Sequence, residues 1–194
     1  MPIIELELNN NRNVYKPKGK QKLLILSDLW GFRKFDWANE YTQRLKLKFE
    51  VLNYDCCSLG DIDVNDYKED ILHKQFINGG IKIAAKKLVA LEKTEVDILA
   101  FSIGGIIAWK AGLLGLKIRN FYSVSSTRLR YETQKPKGNI KLFFGEKDVF
   151  KPKDSWQKRL NVDFETVANK THTMYKEEKI AAIICDELTN LFAK

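Results

Sequence analysis

Ile98-Leu99-Ala100-Phe101-Ser102-Ile103-Gly104-Gly105 is the stretch on which the reading of the fold turns. An apolar run of strand composition ends on a serine, glycines follow at once, and helical periodicity takes over from Ile106 to Leu114. A strand that turns so abruptly into a helix strains its corner residue and needs small neighbours. Ala100 and Gly104 meet that need, and Gly105 lets the helix lie close to the sheet. The competing role for Ser102 is a helix N-cap, its hydroxyl bonded to the first turn of the helix that follows.

Outward from this corner, strands alternate with helices. Leu23-Leu24-Ile25-Leu26 is a continuous apolar run, as a strand buried on both faces requires. Asp36 precedes a helical pattern through Trp37, Ala38, Tyr41, Leu45 and Leu47, which predicts a helix capped by Asp36. Phe49 to Tyr54 is the next strand. Leu59-Gly60-Asp61 and Asn65-Asp66 predict loop, and Tyr67 to Phe76 a short helix broken at Asn78-Gly79-Gly80. Ile81 to Leu91 has helical periodicity, and Val96 to Phe101 is the strand that leads to Ser102.

Asn120 to Val124, Ile140 to Phe144 and Phe164 to Ala168 are further strands. Tyr175 to Phe192 closes the chain as an amphipathic helix with Ala181, Ile184, Leu188 and Leu191 on one stripe. At the other end, Ile3 to Leu8 and Asn13 to Tyr15 flank a turn and predict an antiparallel hairpin. The expected architecture is a three-layer α/β/α sandwich around a mostly parallel sheet of about eight strands, as one domain over residues 1–194.

Composition narrows the function classes. With 194 residues, 44% apolar and 30% charged, the chain can bury a sheet on both faces. The start, Met1-Pro2-Ile3-Ile4-Glu5, lacks a basic leader with an apolar core, and no apolar run reaches membrane-spanning length. Three cysteines, Cys56 and Cys57 adjacent and Cys185 in a helical pattern, make neither a disulfide framework nor a metal site, so a cytoplasmic protein without a metal is expected. The net charge of +8, with lysines clustered at 16–22, 86–87 and 151–153, would steer an anionic substrate or an acidic partner. Aromatics are not interleaved with these lysines, so neither nucleic acid nor membrane is an expected partner. The oligomeric state is not legible.

In open parallel sheets, ligands bind beyond the carboxyl ends of the strands. There the chain carries Ser27-Asp28-Leu29-Trp30-Gly31-Phe32, then Ser102, then Gly145-Glu146-Lys147-Asp148, then Asn169-Lys170-Thr171-His172. A serine, an aspartate and a histidine therefore arrive at one edge, in that order. Asp148 also fits a turn or a helix cap, with Asp154 the alternative acid. His172 also fits an exposed loop. The other histidine, His73, reads as a surface residue, and Cys56 and Cys57 as small buried apolar groups.

The order nucleophile, acid, histidine, with a small-x-Ser-x-Gly turn between strand and helix, resembles the α/β-hydrolase family over essentially the whole chain. The early hairpin resembles that family's first antiparallel strands, Gly145-x-x-Asp148 its acid turn, and His172 its histidine before the last helix. Ala100 stands where glycine is usual. Ser27-Asp28 stands where many members have His-Gly, which puts a carboxylate beside the expected oxyanion site.

The resemblance implies a serine hydrolase that cleaves an ester or thioester without a cofactor. Ser102, His172 and Asp148 would form the triad. The backbone N–H groups of Ile103 and of Leu29 or Trp30 would meet the oxyanion. The segment Ser125–Asn139, short and basic, leaves no room for a sizeable cap, so an open cleft edged by Trp30, Phe32 and Tyr131 is expected. The expected substrate is a small acyl compound, anionic or carrier-linked. An inactive binding protein or an acyltransferase on the same fold stays open at this stage.

Overall fold

The computed structural model describes residues 20–191. The hairpin expected over Ile3 to Tyr15 lies outside these residues. Within them, six strands form one sheet: β1 (Gln21–Leu26), β2 (Phe49–Tyr54), β3 (Val96–Phe101), β4 (Ile118–Val124), β5 (Asn139–Gly145) and β6 (Asp163–Val167). Their order is β2-β1-β3-β4-β5-β6, with every neighbouring pair parallel.

Seven helices connect and cover the strands: α1 (Ala38–Leu45), α2 (Cys56–Leu59), α3 (Glu69–Gln75), α4 (Ile81–Leu91), α5 (Ile103–Leu113), α6 (Asp154–Leu160) and α7 (Glu178–Leu191). Alternate strand residues explain the two covering layers. Leu24, Leu26, Ile98, Ala100 and Phe144 pack with α4, α5 and α6, whereas Leu23, Ile25, Leu99, Phe101 and Phe143 pack with α1 and α7. No described helix is long and apolar enough to cross a membrane.

Three local expectations are corrected. Asp36 does not cap α1 with its side chain: the helix begins at Ala38 after an uncapped Trp37, and Asp36 contributes only its carbonyl to the Asn39 N–H, at 3.1 Å. A helix not read from the sequence, α2, follows β2 because the Asp55 carboxylate accepts from the Cys57 and Ser58 N–H groups. The last helix begins at Glu178, three residues beyond Tyr175, which instead belongs to a 3-10 turn over His172–Lys176. The break at Asn78-Gly79-Gly80 is present as a π-helical turn, with Gly79 at φ 144°.

The chain leaves β1 toward β2, crosses back over β1 to β3, and then moves steadily outward to β6. The connections therefore diverge between the carboxyl ends of β1 and β3, which opens a crevice there. Ser27–Trp30 and Ser102 occupy its two sides.

Candidate active site

Ser102 sits between β3 and α5 at φ 47° and ψ −111°, a conformation that costs about 1–3 kcal/mol and persists only where neighbours enforce it. Three contacts do so here. The Ser102 N–H donates to the Val124 carbonyl at 2.9 Å, and the Ser126 hydroxyl donates to the Ser102 carbonyl at 2.8 Å. Close packing of α5 supplies the third. A Cβ on Gly104 would lie 2.6 Å from the Ser27 carbonyl oxygen, and one on Gly105 1.9 Å from Ser126 Oγ. The Ser102 hydroxyl makes no capping bond to α5. It faces His172 Nε2 at 3.0 Å instead.

His172 Nδ1 lies 2.8 Å from Asp148 Oδ2. A carboxylate can only accept, so Nδ1 carries the proton and Nε2 is left to accept from the Ser102 hydroxyl. Asp148 is buried in the turn after β5, and its other oxygen accepts from the Phe150 N–H at 3.1 Å. The acid turn and the histidine loop are tied together by the Lys147 N–H to the Lys170 carbonyl at 2.8 Å and the Glu146 N–H to the Val167 carbonyl at 2.9 Å. Asp154, the alternative acid, opens α6 and is exposed.

Leu29 on the opposite lip and Ile103 beside Ser102 both border the cleft, and neither N–H is bonded to another described residue. The Trp30 N–H is occupied, because it donates to Asp28 Oδ1 at 3.0 Å. Of the two amides expected from this loop, Leu29 is therefore the available one.

Asp28 does not face the cleft as a free charge. It is fully buried, and its Oδ2 accepts from the Tyr175 hydroxyl at 3.1 Å and pairs with Lys176 Nζ at 3.3 Å. Burial pushes its pKa up, while Lys176 and the Trp30 and Tyr175 donors pull it down. The carboxylate thus clamps the Leu29 loop to the turn that begins at His172. Asp28→Ala would strand these donors and should lower the unfolding free energy in urea by about 2–3 kcal/mol. Asp28→Asn keeps an acceptor for Trp30 and removes a buried charge, so its loss should be less than half of that.

The cleft has a volume of about 790 Å³. Tyr131 borders it, as expected, but Trp30 and Phe32 do not. Trp30 packs against Tyr67, from the loop before α3, at 5.3 Å between ring centres, and Phe32 stacks on Phe35 of its own connection at 5.0 Å. His73, read as a surface residue, is exposed and borders the cleft from α3. Arg128 and Arg130, two of the residues that make the Ser125–Asn139 segment basic, border the cleft, and Phe150 joins them without having been singled out in the sequence. Cys56 and Cys57 are buried, their thiols donating to the Ser27 and Leu29 carbonyls, and burial raises both pKa values. Among the described residues no cluster of His, Cys, Asp and Glu could hold a metal ion.

No protein-family model matches the sequence, and no curated protein matches it. Solved structures do match. A dienelactone hydrolase-like promiscuous phosphotriesterase from metagenomic libraries superposes with a TM-score of 0.67 at 15% identity, over 89% of this chain and 87% of its own. A protein assigned to the alpha/beta hydrolase superfamily from Xanthomonas campestris gives 0.62 at 15% identity, over 88% of this chain and 98% of its own. The chain has the α/β-hydrolase fold. A CIB-like hydrolase predicted in Thermoplasma acidophilum gives 0.64 at 20% identity, over 91% and 89% of the two chains. At such identities the likeness is one of fold, and the chemistry of this α/β-hydrolase-fold protein has to be argued from its own residues.

Proposed function

We propose that the protein is a serine hydrolase that cleaves a carboxylic ester or thioester through an acyl-enzyme. One observation carries the reading: Ser102, His172 and Asp148 form an unbroken hydrogen-bonded chain, at 3.0 Å and 2.8 Å, starting from a serine on a strained turn. The hydrolase names of the superposed structures support hydrolysis as the reaction class.

In this reading, Ser102 Oγ attacks the acyl carbon as its proton passes to His172 Nε2, and Asp148 stabilises the imidazolium that forms. The carbonyl oxygen becomes an oxyanion, met by the Leu29 and Ile103 N–H groups. As the carbonyl reforms, the bond to the leaving alcohol or thiol breaks, and that group takes the proton from His172. Water then attacks the acyl-enzyme, gives its proton to His172, and releases the acid as Ser102 is reprotonated. The cleft suits small or exposed acyl groups, because the β4–β5 connection adds only a 3-10 turn, Thr127–Tyr131, above the sheet.

A fluorophosphonate probe tests the reading. The adduct should map to Ser102, and His172→Ala should slow labelling by at least about two orders of magnitude. A protein inert to the probe and to short acyl esters would overturn the proposal.

A further inference from the structure

Two arginines from the Thr127–Tyr131 turn border the cleft, and they are not equivalent. The Arg130 guanidinium is engaged: it donates to the Thr127 carbonyl at 2.8 Å, to the Phe150 carbonyl at 3.4 Å and to the Tyr131 hydroxyl at 2.8 Å. Arg128 is half-buried, and its guanidinium carbon lies 5.2 Å from the centre of the Tyr131 ring. Among the described residues it has no hydrogen-bond acceptor and no ion-pair partner. Glu69 and Asp70 border the same cleft, yet neither pairs with it.

A half-buried guanidinium has given up part of its hydration, and its five donors form a planar fork that fits two oxygens of an anion. None of these donors is walled off from solvent, and an anion entering the cleft would exchange their water for charge-assisted bonds in a fixed geometry. His73 reports the same field. Burial first, and then the Arg128 charge, hold its pKa below the ordinary histidine value, with Glu69 opposing and Arg130 adding to the effect. The cleft that holds Ser102 and His172 is therefore lined by two guanidinium groups and by the carboxylates of Glu69 and Asp70, and of the guanidinium groups only that of Arg128 is without an acceptor among the described residues.

We propose that Arg128 is the anion-recognition residue of this cleft, and that the substrate is an ester or thioester bearing a carboxylate or phosphate on its acyl or leaving group. The proposal rests on the hydrolase reading and adds the substrate's charge to it. It separates this site from the general basicity of the chain, because surface lysines would attract any anion equally and confer no preference inside the cleft.

Turnover of matched esters tests it. Monomethyl glutarate carries a carboxylate on the acyl side, acetoxyacetate one on the leaving side, and 2-acetoxyethyl phosphate a phosphate on the leaving side. Methyl pentanoate and propyl acetate are the neutral counterparts. At least one anionic ester should exceed its neutral counterpart in kcat/KM, and the pair that does so identifies the position and kind of anion. Arg128→Gln should reduce that preference by about 10- to 100-fold, and Arg128→Lys, which keeps the charge but loses the fork, by less. No preference in the wild-type protein, or a preference that survives in Arg128→Gln, overturns the proposal.

A binding measurement keeps the subsite separate from the hydrolase reading. Glutarate should shift the His73 imidazole resonances and raise the His73 pKa in the wild-type protein, and Arg128→Gln should abolish both effects. If glutarate leaves His73 unmoved, the subsite fails even where Ser102 is labelled. If glutarate binds through Arg128 while Ser102 stays unlabelled, it is the hydrolase reading that fails.

Discussion

Ser102→Ala should lower kcat/KM for 4-nitrophenyl acetate by about four to six orders of magnitude while leaving the urea midpoint nearly unchanged. The size follows from the division of labour in the cleft. Without the hydroxyl no nucleophile is held against His172 Nε2 and no acyl-enzyme can form, and the Leu29 and Ile103 amides and the binding surface are left to assist a water that nothing positions as well. Alanine can hold the same φ of 47° no worse than serine, and the lost hydroxyl makes no capping bond, so the fold loses little. His172→Ala should be nearly as slow. The double variant Ser102→Ala/His172→Ala should be no slower than the worse single one, because the two groups act as one unit. Kinetic additivity of the two losses would mean that they do not work together.

Gly145→Ala should be the most damaging small substitution away from the reacting groups. A Cβ there would lie 2.3 Å from the Lys170 carbonyl oxygen, 2.6 Å from its carbon and 2.7 Å from the Thr171 oxygen. These are backbone atoms, which cannot swing aside as a flexible side chain can. Relief requires the end of β5 to part from the loop that delivers His172, just where Lys147 and Lys170 are bonded. Such overpacking costs about 1–3 kcal/mol, measurable as a lowered denaturation midpoint. Asp148 lies three residues after Gly145 and His172 two after Lys170, so the same wedge lengthens the contact between acid and histidine. A displacement of about 1 Å can cost about 100-fold in rate, so the folded variant should lose one to two orders of magnitude in kcat/KM. Normal activity in the folded variant would show that the two loops adjust independently.

The strands were legible because a parallel sheet covered on both faces needs uninterrupted apolar runs, and Leu23–Leu26 and Val96–Phe101 are such runs. Once the strands are known, Ser102, Asp148 and His172 stand out, because each follows one of them by a few residues on the edge where sites form. What lay beyond reach depends on distant partners. The orientation of Asp28 is set by Tyr175, 147 residues later, and by Lys176. Trp30 looked like a cleft aromatic because it follows a strand, but Tyr67 covers it from a segment whose path no periodicity reveals. His73 borders the cleft because α3 runs along it, with Glu69 and Asp70 of the same helix also at its edge. Arg128 and Arg130 are two residues apart in the chain and look alike as letters. Only the surroundings separate the engaged one from the idle one.

The three triad groups hang from strands of unequal security. Ser102 follows β3, which is buried at every residue in the middle of the sheet, whereas His172 follows β6, which pairs on one side only among the described residues and exposes most of its side chains. Native proteins open piecemeal, and an outer strand detaches far more readily than a central one. Transient fraying of β6 would carry the imidazole away while the nucleophile stayed in place, so the share of molecules ready to react is governed at the rim of the sheet.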